Sequence, residues 1–496
     1  MICAGRALSQ AGPASILISY TCVGIIVYLV LCALGEVASW SPEPSMAENA
    51  SRFCDPALGF TLGWIYWLKF MLVIPNQCAA GELLIAYWQG NDEKGYSILW
   101  ITLFLAMIIV ANLKCTQYFD KYEIFISVVK IIVMLGLLCL CIVLALGGGP
   151  KHDKKGFRYW SYPGAFAQHS GKEAAGILRA VFRTVPSATL AYLGSELMGI
   201  TILRTHNPRE AAGQAIESNC YRILAVNIVN VALLGLLVPS DAHALALGQT
   251  PDKPRPASAF VTIAQYTGWS QLPHILNAFL LVCVISAASQ ALYLATRTLY
   301  ELAIDQHAPS FLDRTNNRGI PIYALGVCAV IGCTAYLNAF SRSQKLFKNH
   351  VNLVSMFSIL TWASMLVVHI SFVRVRKVQR IADGDLVFKA PFGVFGSWVA
   401  LLACIFFSII RVFDLTNSDA EPRRFDYLAF MTSYAGIPLY AILAVGYKLV
   451  TRSHTVSPDS VEMKSIKAGQ DTVGAGRPPA AWGQPLQVRS ETARMR

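Results

Sequence analysis

From Ala14 to Val450 the sequence returns repeatedly to apolar runs of bilayer-crossing length, and this pattern constrains the fold more than any single motif. A helix needs about 20 apolar residues to cross a hydrocarbon core. Inside lipid every backbone N–H and C=O must be paired within the protein, which such runs achieve as helices. The runs fall near Ala14–Ala38, Leu58–Trp88, Ser97–Ala111, Lys121–Leu146, Arg179–Asn207, Cys220–Val238, His274–Ile304, Tyr323–Leu337, Val351–Val373, Val394–Val412 and Phe430–Val450. Residues 1–13 form a stub too short to span. About 11 transmembrane helices are therefore expected, and the fold class is an all-α integral membrane protein. The second run is over-long and holds Lys69, Pro75 and Glu82, so it should tilt or kink, with Trp64, Trp67, Tyr87 and Trp88 at the interfaces.

Of the 496 residues, 55% are hydrophobic and only 14% charged, against about 25% in soluble domains, so the chain needs the lipid bilayer as its solvent. The net charge of +12 resides in loops and tail, where membrane topology and anionic headgroups account for it, and no nucleic-acid partner is implied. Thirteen scattered cysteines form no CxxC pair or Cys/His cluster, so neither a disulfide framework nor a metal site is expected, and no cofactor. Residues 453–496 are rich in Ser, Pro, Gly and charge and read as a disordered tail behind a transmembrane domain at 1–452. The tail's Lys448, Arg452, Lys464, Lys467 and Arg477 favour a cytoplasmic C-terminus, and Asn49-Ala50-Ser51 is a glycosylation sequon that would report on the side of the 40–57 loop.

One run is broken. Arg179 to Glu210 is long enough to span, yet it carries Pro186 and then Gly194-Ser195-Glu196 between Tyr192 and Leu197. Loosened backbone at membrane depth is tolerated only where it is buried in protein or lines a cavity. An ionisable residue there costs roughly 2.5–3.5 kcal/mol on insertion scales and commonly marks a substrate or ion path. A broken helix pointing its half-helix ends at a small charged ligand is the usual core of a secondary transporter. The structural alternative is a kinked helix whose Glu196 pairs with a neighbouring Lys or Arg. A membrane enzyme would need a carboxylate pair or His cluster at depth, and the sequence has no such motif.

Several phrases resemble fungal amino-acid permeases of the amino acid–polyamine–organocation superfamily. They are AGPASILISY at 11–20, ALGEVAS at 33–39, DPALGFTLGWIYWLKF at 55–70, NPRE at 207–210, ATRTLYELAIDQHAPSFL at 295–312 and FKAPFG at 388–393, in the family's order across nearly the whole chain. The resemblance implies an inverted-repeat (5+5) transporter fold plus two helices at the plasma membrane, with an amino-acid substrate bound at broken first and sixth spans. The sixth maps onto 179–207, making Tyr192, Gly194, Ser195 and Glu196 the candidate substrate-binding residues. Most of the first span is missing from the alignment, so its helix reads as truncated. Gln77 stands where the family has a carboxylate, and Leu193 bears a side chain where substrate would want bare backbone.

Lys130 matches a lysine that some proton-coupled relatives carry in place of a sodium site. The resemblance thus makes protons a partner, with Lys130 and Glu196 as coupling residues; a snorkelling or salt-bridged structural lysine is the alternative. Arg297, Glu301 and NPRE read as topology or gate contacts, and His369 as a structural histidine. The leading reading is proton-coupled amino-acid uptake by alternating access. The other is a permease-derived sensor or truncated, inactive copy, favoured by the shortened first span, Gln77 and Leu193.

Overall fold

In the computed structural model the apolar runs fold as helices, most with ends close to the expected bounds. The run from Arg179, however, stops at Ala191, those expected from Cys220 and Val351 begin at Pro208 and Ser343, and the last is split at Ala435. The structure describes residues 2–40, 45–89, 97–114, 119–148, 156–166, 174–197, 208–240, 258–265, 268–316, 319–337, 343–381, 383, 386, 388–411 and 427–461. The helices are α1 (Ile2–Ala11), α2 (Pro13–Trp40), α3 (Met46–Phe53), α4 (Pro56–Gln89), α5 (Ser97–Lys114), α6 (Phe119–Ala145), α7 (Ala174–Ala191) and α8 (Pro208–Leu237). They continue with α9 (Ala259–Gln265), α10 (Leu272–Ile304), α11 (Ile322–Gly332, prolonged by a tighter turn at Cys333–Tyr336), α12 (Ser343–Val378), α13 (Gly393–Ile409), α14 (Tyr427–Tyr434) and α15 (Gly436–Thr451). Among the described residues, six helices are long and apolar enough to cross a membrane, and four shorter apolar ones join them. α7 supplies the broken span. The expected stub is a ten-residue helix, about 15 Å long. It is nonetheless core, with Ala4, Ala7, Leu8 and Ala11 buried.

Packing follows a two-fold plan. α1 packs on α7, α2 on α8, α4 on α10 and α5 on α11, so the first four elements of one five-helix repeat meet their counterparts in the other. α4 is the central post. It also contacts α3, α12 and α15, and its 34 residues make a helix about 51 Å long, which must cross obliquely. Pro75 lies within it without ending it, although a proline cannot donate to the carbonyl four residues back. Small residues let neighbours in close. A Cβ on Gly63 would sit 2.6 Å from Leu302, and one on Gly81 2.8 Å from Phe104.

Two expectations need correction. Trp67 is no interfacial anchor: it is buried in the core of α4, α5, α10 and α11, with Trp64 edge-on to it at 5.3 Å between ring centroids. Trp88, by contrast, is exposed near the helix end. The sequon residue Asn49 faces inward on α3, fully buried, its amide donating to the Ser45 carbonyl at 2.9 Å.

At the end of α2 a buried carboxylate organises three segments. Glu36 accepts the backbone N–H of Ala390 at 2.8 Å, lies 3.2 Å from His369 Nε2 and 3.6 Å from Arg376. His369 also meets Ser397 Oγ through Nδ1 at 2.8 Å, which ties α12 to α13. At the α3–α4 corner Asp55 caps α4, accepting the Ala57 N–H at 2.9 Å ahead of Pro56 at the first helical position. The same carboxylate receives Lys448 at 2.8 Å and Ser453 at 3.2 Å. Residues 453–461, at the start of the expected tail, dock here: Val456 N–H donates to Cys54 O at 2.9 Å, Gln379 donates to the carbonyls of Pro458 and Val461, and Val461 is buried. The rest of the tail (462–496), the basic stretch Lys151, Lys154 and Lys155, and the side chains of NPRE lie outside the described residues.

Candidate functional site

α7 runs to Ala191 and then breaks. The chain turns through 192–197, with Ser195 N–H bonded to Tyr192 O at 3.2 Å and Leu197 N–H to Gly194 O at 3.1 Å. Gly194 has φ of +85°, a left-handed conformation that a residue with a Cβ adopts only under strain. Beside this turn is a cavity of about 240 Å³. It is walled by Cys3 of α1, Tyr20 of α2, Val73, Asn76, Gln77 and Ala80 of α4, Ser187, Leu190, Ala191 and Leu193 around the α7 end, and Leu280, Cys283, Val284 and Ala287 of α10. The walls come from both repeats, and every polar group among them is uncharged. Asn76 is nine-tenths buried, and its Oδ1 has no hydrogen-bond partner. A buried acceptor left unpaired costs about 1–3 kcal/mol, so this wall is primed for a donor.

Gln77 and Leu193, singled out in the sequence, stand in the cavity wall, whereas the candidate substrate-binding and coupling residues surround the cavity rather than line it. Tyr192 is buried between α2 and α7, its hydroxyl donating to the Tyr20 carbonyl at 3.1 Å, while the Tyr20 hydroxyl, itself in the cavity wall, reaches Ser187 O at 3.4 Å. Gly24 of α2 makes room for this arrangement: a Cβ there would stand 2.6 Å from the Tyr192 oxygen and 2.2 Å from Leu224. Ser195 is buried with its hydroxyl unpartnered. Glu196 forms a fully buried ion pair with Lys69 of α4, and its second oxygen accepts the Trp362 indole N–H of α12 at 3.4 Å. The Lys69 ammonium also lies over the rings of Tyr66 at 4.1 Å and Phe70 at 4.7 Å, a cation–π seating. Lys130 of α6 donates to Ser286 of α10 at 2.8 Å, one residue from Ala287 in the cavity wall.

Sequence reasoning marked Lys69 as unusual without giving it a partner. It passed over Tyr20, Asn76 and Ser187. A signal was present: Lys69, Val73, Asn76 or Gln77, and Ala80 recur at helical spacing, a stripe with polar members on an otherwise apolar helix. The break in α7, the paired repeats and the half-open cavity between them together define a transporter fold of the broken-helix, inverted-repeat class.

Comparison with known proteins agrees and goes further. Residues 1–457 match the amino acid permease family. The dicarboxylic amino acid permease of Saccharomyces cerevisiae is 38% identical over 473 residues, spanning 94% of this chain and 76% of that protein. The proline-specific permease of the same yeast is 30% identical over 460 residues, 90% of this chain and 71% of that protein. A manganese transporter from Eremococcus coleocola superposes with a TM-score of 0.51 over 90% of each chain at 11% identity, a likeness of fold alone. The chain belongs to the amino acid permease family.

Proposed function

We propose that this chain carries an amino acid across the plasma membrane by alternating access, coupled to protons, and that its substrates bear an acidic side chain. The observation that carries the reading is the cavity beside the α7 break, walled by α1, α2 and α4 of one repeat and α7 and α10 of the other. Rocking one set of helices against the other changes the side to which such a cavity opens, without any covalent step. The unpartnered Asn76 Oδ1 suits the substrate ammonium. The loosened turn at Gly194, with Tyr192, Ser195 and Glu196 around it, suits the recognition of the rest of the amino acid. No carboxylate stands among the described lining residues, so a second negative charge on the substrate meets no like charge. The yeast relative named for dicarboxylic amino acids supports the same substrate class. We assign proton coupling to Lys130 and Glu196, two ionisable groups at membrane depth flanking the cavity. The tail's basic residues favour a cytoplasmic C-terminus.

The test is uptake of labelled glutamate and aspartate by a permease-deficient yeast expressing the full chain. Concentrative uptake that rises with external acidity is expected. Ala287→Trp, which fills the cavity, should abolish it at unchanged surface level. A surface-resident protein that takes up no amino acid overturns the reading, and normal uptake by Ala287→Trp moves the site elsewhere.

A further inference from the structure

Both members of the buried pair between Lys69 and Glu196 lie within four residues of a side chain in the cavity wall. Val73, in the cavity wall, follows Lys69 by four residues, so the two lie on one face of α4 about 6 Å apart along its axis. Leu193, also in the wall, precedes Glu196 by three residues on the turn. The ammonium now lies over the Tyr66 ring, one turn toward the start of α4, and rotation of its four-methylene stem is what would bring it to the cavity side. Asn76 Oδ1 in the wall and Ser195 Oγ next to Glu196 both have unmet hydrogen-bonding capacity, and both residues are more than nine-tenths buried.

A buried ion pair is weak evidence for stability, because desolvating two charges offsets most of their attraction. A pair of well-packed apolar side chains would hold α4 to the turn as well. What the pair retains is a cation poised beside a cavity whose own walls are uncharged. We propose that Lys69 is the specificity-determining residue for acidic substrates, and that Glu196 occupies it as an internal stand-in until a substrate side-chain carboxylate takes its place. The inference rests on the permease reading above and deepens it.

The exchange conserves charge in a definite way. Lys69 stays protonated throughout, and one carboxylate replaces another on its ammonium. Around the pair, α4 brings Lys69 with the Tyr66 phenol and the Phe70 ring, the turn brings Glu196, and α12 brings the neutral Trp362 indole. Glu196 displaced from Lys69 thus has no second cation among its described partners. A carboxylate in that position binds a proton from solvent rather than remain ionised in a dry site. One proton is taken up for each extra negative charge that enters, which ties substrate choice to proton coupling at a single residue. Exchange also frees the α7 turn from α4, the separation that rocking requires.

The experiment compares the parent chain, Lys69→Gln, and the swap Lys69→Glu/Glu196→Lys, each in a permease-deficient yeast and normalised to surface level, with labelled glutamate and its neutral analogue glutamine. For Lys69→Gln the glutamate-to-glutamine ratio of Vmax/KM should fall about 30-fold or more, the scale on which losing one partner of a buried charge pair weakens binding. The fall should appear mainly as a higher glutamate KM. The swap restores an ion pair but moves the cation to the turn, so surface level should return while glutamate selectivity should not. Parental selectivity in Lys69→Gln, or full recovery of it in the swap, overturns the proposal and leaves the pair structural. If the parent takes up glutamine but not glutamate, the acidic substrate class falls with it. If the parent takes up neither, the permease reading itself fails.

Discussion

Glu36, on the last turns of α2, accepts the backbone N–H of Ala390 at 2.8 Å across 354 positions of sequence. The same carboxylate faces His369 and Arg376 on α12, so one side chain joins α2, α12 and the segment leading into α13. Replacing it by alanine leaves the Ala390 N–H, the imidazole and the guanidinium without their shared acceptor. Breaking a buried ionic contact by removing one partner costs about 3–5 kcal/mol. Glu36→Ala should lower the thermal midpoint of the detergent-purified protein markedly, and Glu36→Gln by less, since its amide oxygen still accepts one bond. A melting curve unchanged by either substitution would mean that the loop is held elsewhere.

Gly24 is the second test, because its missing side chain is where the Tyr192 hydroxyl and Leu224 sit. Gly24→Ala forces both away, and overpacking of this kind costs about 1–3 kcal/mol. Tyr192 is then pushed off the Tyr20 carbonyl and toward the turn that holds Gly194. Uptake should fall further than stability does, and Gly24→Ala/Tyr192→Phe, which removes the clashing oxygen, should recover part of the stability. Uptake and midpoint that drop together with no recovery would argue for a general packing defect.

Asp55 makes a pH prediction outside the spans. Burial pushes its carboxyl upward, but hydrogen bonds from Lys448, the Ala57 N–H and Ser453 outweigh that and hold it below its ordinary value. A carboxyl lowered in the folded state contributes stability above its unfolded value, about 3.9, and loses it as pH falls through the folded value. Loss of the cap alone costs about 0.5–2 kcal/mol. The parent should therefore melt above Asp55→Ala at pH 7, with the gap closing below about pH 4. A gap of constant size down to pH 3 would remove the charge from the explanation.

Lys130 is tested by pH dependence of transport rather than by stability. Its ammonium rests on Ser286 in the helix that forms one cavity wall. Lys130→Ala should flatten the rise of uptake with external acidity, while Ser286→Ala, which spares the amine, should shift that rise without abolishing it. A parental pH profile in Lys130→Ala would return this lysine to a structural role.

Much of the architecture was legible because the bilayer imposes it. A run such as Val351–Val373 must be helical at membrane depth, and it lies inside α12. The break at Gly194 was equally readable, since a positive φ selects glycine and buried charge is rare in lipid. The pairing of Lys69 with Glu196 was not. Helical spacing relates residues three or four apart, and these two stand 127 apart on different elements. Trp67 illustrates a second limit: its chemistry suits both an interface and a core, and only the packing of α10 and α11 around α4 decides between them. The docking of 453–461 was hidden for a similar reason, because its anchors are backbone carbonyls and one shared carboxylate rather than an apolar pattern.

The distance along the chain between the partners of the Lys69–Glu196 pair also has a consequence for biogenesis. Synthesis at about 5–20 residues per second puts roughly 6–25 s between the emergence of the lysine and that of its 127th successor, the glutamate. Through that interval a nascent chain holds a cation in a segment otherwise apolar enough to leave the translocon. Its long stem can keep the ammonium near the headgroups in the meantime. The central post of the transporter is thus made well before the second repeat delivers its counter-charge.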